Sequence, residues 1–288
     1  LKYLIEPFSS NEFMVLALVA GILVSLICAI AGTFVVLRGL AFVGDALAHG
    51  VLPGIALAIL LGFSGVLGAA IGAGVMMGGV GVVQRRLRLS GDTAVGLLFV
   101  GMLALGVIIT SRSDAFVGDL TRILFGQLLG IDSSDIAWQV VALVVVASLT
   151  FVCRRPFLLL TIDDGLARTS GFSVRLFHNL LLMIVGITVV ASFQTVGTLL
   201  VLGMLVAPAA TGALFARRIE SMMLIAAVIG SVSTYVGLLL SYHFDLAAGA
   251  SIVLVTVTVF AVAATFHELR SARRRHDELP HAHGHLHL

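Results

Sequence analysis

Two residues able to hold a metal ion stand four apart in the stretch "GDALAHG" at 44–50: Asp45 and His49. On a helix that spacing puts both side chains on one face, one turn apart. A carboxylate oxygen and an imidazole nitrogen directed into a bundle interior suit a divalent transition metal. Two donors do not complete a tetrahedral or octahedral shell, so water, other residues or a symmetry-related copy of the helix must supply the rest. Apolar sequence flanks the pair, "ICAIAGTFVVLRGLAFV" before it and "VLPGIALAILLGF" after it. An aspartate costs about 3 kcal/mol at the centre of a lipid-spanning helix. Gly44, Gly50, Pro53 and Gly54 bracket the pair and would let its helix be broken and packed closely. The alternative reading is an Asp–His pair at the membrane edge that only caps or hydrogen-bonds.

The tail "HDELPHAHGHLHL" is a second concentration of donors, with His276, His281, His283, His285 and His287 supplying five of the nine histidines. Alternating His-x-His in a flexible segment binds zinc, nickel or copper loosely, which would buffer or sense an imported ion. A merely polar, solvated terminus is the alternative. His243 and Asp245 in "SYHFDLAAG", like Asp114 and Asp119 further upstream, read first as polar loop residues and only second as ligands on the way in.

Other chemistries lack their residues. No Gly-x-x-x-x-Gly-Lys-Ser/Thr loop occurs, so the chain binds no nucleotide by that route. "HELRS" from His267 lacks the second histidine of a zinc-protease helix, and no Gly-x-Ser-x-Gly elbow is present. A self-contained membrane enzyme is therefore poorly supported.

The elements that must position these residues are membrane spans. Of the 288 residues 59% are hydrophobic and 11% charged, with a mean hydropathy of +1.14, against about a quarter charged in a soluble domain. Such a chain cannot cover itself in water, and most of its surface must meet the lipid bilayer. A net charge of +2 is too small to suggest nucleic acid, and Cys28 and Cys153, both in apolar surroundings, form no disulfide framework. A spanning helix needs roughly 20 apolar residues. Runs of that size lie near 13–36, 42–61, 65–83, 93–110, 136–153, 178–194, 196–216, 221–241 and 249–266. The expected fold is thus all-α and polytopic, a bundle of nine transmembrane helices, or eight if the pair divided only by "SFQTVG" merges. Residues 1–267 would form the transmembrane domain, and 268–288 a basic, His-rich and disordered cytoplasmic tail. The opening "LKYLIEPFSSNEF" lacks a charged-then-apolar signal pattern, so the first run reads as a retained span.

With nine alternating spans, Arg38, the "RRLR" cluster at 85–88, Arg154, Arg155, Arg168, Arg175, Arg217, Arg218 and "RSARRR" at 270–275 fall on one side. Arg112, Arg122 and Lys2 fall on the other. The positive-inside rule makes the first side cytoplasmic, with the N-terminus outside. Two connections are long. The outer one, 111–135, carries an amphipathic piece with a helix cap expected at Ser133 or Ser134. The inner one, 154–177, is polar and helix-compatible over 163–170, stopped by Gly171. A short helix there would dock a soluble partner; a solvated loop is the alternative. Glycine-rich runs such as "GAAIGAGVMMGGVG" indicate close helix packing.

These residues resemble a known family. Three segments, "EPFSSNEFMVLALVAGILVSLICAIAGTFVVLRGLAFVGDALAHGVLPGIAL", "LFGQLLGI" and "TVGTLLVLGMLVAPAATG", look like the membrane permease subunits of ABC-type zinc, manganese and iron importers. The Phe-x-Gly-Asp-x-Leu-Ala-His core at 42–49 is close to a family signature, and the match runs from about residue 6 to 266. The resemblance implies a bacterial inner-membrane permease acting as a homodimer or with a paired permease. It implies two cytoplasmic ATP-binding-cassette subunits that hydrolyse the ATP, and an extracytoplasmic metal-binding protein. It makes Asp45 and His49 metal-pathway residues and the 161–177 loop the segment seated in the ATPase, with Asp163, Asp164, Ala167 and Gly171 at the contact. Ala167 and Gly171 match the family pattern there, whereas Asp164 and Gly165 stand where proline and an acid are common. No permanent cofactor is implied, only a transported divalent ion, with the histidine tail favouring zinc. Two other readings predict different dependences. An ion-coupled secondary carrier needs relays spread through several spans. A membrane sensor or scaffold acting through its tail needs residues 276–288 more than Asp45.

Overall fold

A computed structural model describes residues 6–8, 11–87, 91–111 and 130–278. Among them there is no strand, and ten helices account for most of the chain. They are α1 (Glu12–Leu37), α2 (Ala41–Leu61), α3 (Gly65–Leu87), α4 (Gly91–Thr110), α5 (Ser133–Val152), α6 (Arg154–Ile162), α7 (Asp164–Thr169), α8 (Val174–Phe215), α9 (Ile219–Phe244) and α10 (Ala248–Glu278). All nine apolar runs read from the sequence fall on helices. Seven stretches are long and apolar enough to cross a membrane: Glu12–Leu37, Ala41–Leu61, Gly65–Val83, Ser133–Val152, Val174–Phe193, Ile219–Phe244 and Ala248–Ser271. Thr93–Ile109 and Leu200–Phe215 are apolar but shorter. The two halves of α8 join at Gly197, whose φ of 75° and ψ of 164° are not helical. That break lies in the "SFQTVG" stretch on which the span count turns, and only glycine adopts such a backbone without strain.

Helix is the form an apolar chain takes in lipid, because every N–H and C=O must find a partner within its own segment. The few buried hydroxyls obey the same demand. Ser25, Thr33, Thr188, Thr211, Thr234 and Thr256 each donate to the carbonyl four residues earlier, at 2.7 to 2.9 Å. Ser25 and Thr234 also meet each other at 3.2 Å across the α1–α9 crossing. There Gly21 and Gly230 let the backbones close in, with Thr234 and Ser25 respectively against them.

The long helix α8 occupies the centre, packing on α1, α2, α3, α5, α9 and α10. Helices α1 and α2, joined by three residues, hardly touch each other; α8 lies against both. Leu205 of α8 sits under Gly32 of α1, where an added Cβ would lie 2.9 Å from the Leu205 carbonyl carbon. The Leu205 side chain reaches the Gly44 position of α2 at 3.0 Å.

Three local readings change. The cap of α5 is Asp132, not Ser133 or Ser134. Its backbone N–H donates to the Asp135 carboxylate at 3.2 Å, which starts the helix one residue early and leaves both serines inside its first turn. The 154–177 connection also contains a helix the sequence reading left as loop, α6, with Pro156 in its first turn and Phe157 and Leu160 buried. And α10 runs on past 267 to Glu278 rather than ending at the expected domain boundary.

Candidate metal pathway

Helix α2 runs unbroken through Pro53, so the expected disruption beside the pair does not occur. Proline has no N–H to give the carbonyl four residues before it, which here is that of His49. The glycines act through close approach. An added Cβ at Gly50 would meet Met76 at 3.0 Å, and one at Gly54 would lie 2.9 Å from the Gly72 nitrogen. Helix α3 therefore lies almost backbone to backbone against one side of α2. On another side, Gly106 of α4 would place a Cβ 3.6 Å from Pro53. Leu205 of α8 covers the Gly44 side.

What these neighbours leave uncovered is one stripe of α2: Phe42, Asp45, His49 and Leu52, while 44, 46–48, 50, 51 and 53 are buried. The Asp45 side chain is 28% exposed and that of His49 16%. His49 Nε2 lies 3.5 Å from Asp45 Oδ1, long for a hydrogen bond but close enough for both atoms to face one ion. His49 stands edge-on to Phe99 of α4, ring centres 5.3 Å apart, and Phe99 in turn meets Phe42 at 6.3 Å. The other ring nitrogen, Nδ1, is buried without a hydrogen-bond partner. An imidazole held this way has one nitrogen that nothing in the chain satisfies, a cost that a bound ion or a water could offset. Measured along the helix, Asp45 lies about 6 Å and His49 about 12 Å from its first residue, so the pair sits nearer the Arg38 end than the middle.

The pair is not a complete coordination shell. Among the described residues no group of three or more His, Cys, Asp and Glu side chains is placed to hold a metal. His243 is in the last turn of α9, its Nδ1 2.9 Å from the Leu239 carbonyl, and Asp245 caps that helix with a φ of 51°. Asp114, Asp119, His281, His283, His285 and His287 lie outside the described residues.

The 163–170 stretch is helical. Asp163 caps α7 by accepting the Leu166 N–H at 2.9 Å. At the other end Gly171 has a φ of 84°, its N–H donating to the Arg168 carbonyl at 3.0 Å while that of Phe172 donates to Ala167, also at 3.0 Å. Those two bonds close the helix as a Schellman end does. Ala167 is buried and Leu166 is 43% exposed. Asp164 Oδ1 lies 3.2 Å from an Arg38 guanidinium nitrogen. The sequence reading treated Arg38 only as a charge orienting the bundle; nothing in the spacing signals its partner. Arg154 pairs with Glu220 at the start of α9. With Phe34 meeting Phe157 at 5.4 Å, these contacts gather the end of α1, the start of α6, α7 and the start of α9 at one basic end of the bundle.

Comparison with known proteins bears on this arrangement. The profile of the ABC 3 transport family matches residues 10–267. The manganese transport system membrane protein MntC of Listeria innocua is 36% identical over 91% of this chain and 93% of its own length. The chelated iron transport system membrane protein YfeD of Yersinia pestis is 34% identical over 94% of this chain and 90% of its own. Among solved structures, a chain of PsaBC from Streptococcus pneumoniae in complex with Fab superposes with a TM-score of 0.82 at 31% identity, covering 90% of this chain and 94% of that one.

Proposed function

The chain belongs to the ABC 3 transport family, and from that premise we propose that it is the permease of an ATP-driven importer for a divalent metal ion, manganese or iron(II) ahead of zinc. It is a multi-pass protein of the cytoplasmic membrane. One observation supports the reading most: the uncovered stripe of α2 presents a carboxylate and an imidazole where lipid contact would be expensive. A second copy laying its own stripe against the first removes that cost, encloses a path and doubles the donors to two carboxylates and two imidazoles. Water completes the shell of the passing ion. Such a mixed oxygen and nitrogen set accepts manganese, iron(II) or zinc, and it must hold loosely, because a transport site has also to release. The preference for zinc drawn from the histidine tail finds no support among the relatives named above, which carry manganese and iron in their names.

The basic end of the bundle faces the cytoplasm by the positive-inside rule, with nine crossings and the N-terminus outside. There α7, capped at both ends and presenting Leu166, seats in a groove of a separate ATPase subunit, so the permease itself catalyses nothing. A metal-binding protein delivers the ion from the other face.

The test is uptake by proteoliposomes carrying the chain with its ATPase, supplied by the binding protein with radioactive manganese, iron(II) or zinc. ATP-dependent accumulation of manganese or iron is expected. Accumulation driven by a proton gradient without ATP would make the chain a secondary carrier and overturn the proposal. Deleting 276–288 should change the rate by no more than about twofold, the scale of a surface change. Loss of uptake on that deletion, with Asp45→Ala harmless, would move the function to the tail.

A further inference from the structure

The contact between Arg38 and Asp164 joins two segments that the proposed mechanism uses separately. Asp164 is the first residue of α7, the helix read above as the ATPase dock, and this inference rests on that reading. Arg38 caps α1 in the turn from which α2 departs. That turn is stiff. Arg38 N–H donates to the Phe34 carbonyl at 3.0 Å, Gly39 to Val36 at 3.2 Å, Leu40 to Val35 at 2.8 Å, and Gly44, inside α2, to Leu40 at 3.1 Å. Gly39 makes the reversal with a φ of 64°. Two turns of helix further on stand Asp45 and His49.

The pair itself is not an ordinary surface contact. The Arg38 side chain is 14% exposed, against 48% for Asp164. Its second terminal nitrogen, Nη1, is buried without a hydrogen-bond partner, so the Asp164 carboxylate is the group that answers this charge. His178, partly buried near the start of α8, is within electrostatic reach of both. A guanidinium buried this far is costly to leave alone, so a displacement of Asp164 pulls on Arg38 instead of simply breaking away.

We infer that Arg38 is a positioning residue, the strut through which movement of the ATPase-seated helix α7 reaches the first turn of α2 and so shifts Asp45 and His49. Through the short hydrogen-bonded turn, a push on α7 becomes a tilt or rotation of the metal-bearing helix. Phe157 and Phe177, with ring centres 6.3 Å apart, and Phe172, at 5.6 Å from Phe177, form the aromatic floor on which α6, α7 and the start of α8 rest, and Phe157 also meets Phe34 of α1.

The experiment compares ATP hydrolysis, metal uptake and co-purification of the ATPase subunit for reconstituted wild type, Arg38→Ala, Asp164→Arg, the double swap Arg38→Asp with Asp164→Arg, and Leu166→Asp as the docking control. Arg38→Ala is expected to keep ATPase assembly and hydrolysis while manganese uptake per ATP falls about tenfold, within the usual range of coupling energies. Asp164→Arg, which sets two guanidinium groups together, should uncouple at least as strongly, and the swap should recover most of the loss. Leu166→Asp should prevent the ATPase from co-purifying. If the ATPase still assembles on Leu166→Asp, the docking reading itself fails. If Leu166→Asp abolishes assembly but Arg38→Ala transports normally, the strut is refuted. It is equally refuted if hydrolysis and uptake fall together in Arg38→Ala, or if the swap is no better than either single variant.

Discussion

Asp45→Ala and His49→Ala are each expected to lower manganese or iron uptake by on the order of 100-fold or more, since losing an outer-shell partner of a metal ligand already costs about 10–100-fold. The informative variant is Asp45→Asn. Asparagine caps helices and accepts hydrogen bonds about as well as aspartate, so it would preserve a merely structural Asp–His contact. It lacks the negative charge that would balance a passing cation, and it is expected to be as inactive as the alanine variant. Both residues stand on a partly exposed stripe, 28% and 16% for their side chains, and neither supports a packed neighbour. Protein level and thermal stability should therefore stay near wild type. Wild-type uptake by Asp45→Asn, with normal amounts in the membrane, would return the pair to a capping role and place the ion's path elsewhere.

The second large effect concerns folding. Gly32→Leu is expected to destabilise the bundle by about 3 kcal/mol, the upper end of overpacking costs, and to lower the midpoint of thermal unfolding in detergent by on the order of 10 °C. The reason is the identity of the neighbour. Where an added Cβ meets the tip of a side chain, that side chain can turn away. At Gly32 it meets the Leu205 backbone carbonyl, with the Ala209 Cβ 3.4 Å away, and α1 and α8 would have to separate along their length. Gly74 supplies the control: an added Cβ there meets nothing within 4 Å, so Gly74→Leu should cost little. Equal stability of the two variants would show that the α1–α8 crossing is looser than described.

How much of this was legible beforehand differs by level. The apolar runs were plain, since an 18-residue stretch of Leu, Val, Ile and Ala needs no neighbour to declare itself a helix in lipid. The pair was also plain, because charge in such a run is conspicuous whatever surrounds it. The cap at Asp163 and the stop at Gly171 followed from local chemistry alone. Three features were not readable. Phe99 carries no mark in the sequence to say that it holds the His49 ring. The link between Arg38 and Asp164 joins residues 126 apart, and a basic residue at a span end already had a sufficient explanation in topology. Helix α6 was hidden because its apolar run is too short for a span and Pro156 suggested a loop, although proline in a first turn is favourable. Local rules found what local energies decide. Contacts between distant segments required the packed bundle.

The position of Leu205 also constrains how the protein is made. Helices α1 and α2 leave the ribosome first and enter the membrane as neighbours in sequence, yet they are strangers in the finished bundle, each resting on α8. Until the stretch around Leu205 has been synthesised and inserted, Gly32 and Gly44 have nothing to close upon, and the helix bearing Asp45 and His49 lacks its backing. Contacts between such distant parts form late in folding. A nascent chain halted before α8 would hold an unsupported acid and imidazole in the bilayer, a ready signal for membrane quality control, and the ion's path would be among the last features of the protein to mature.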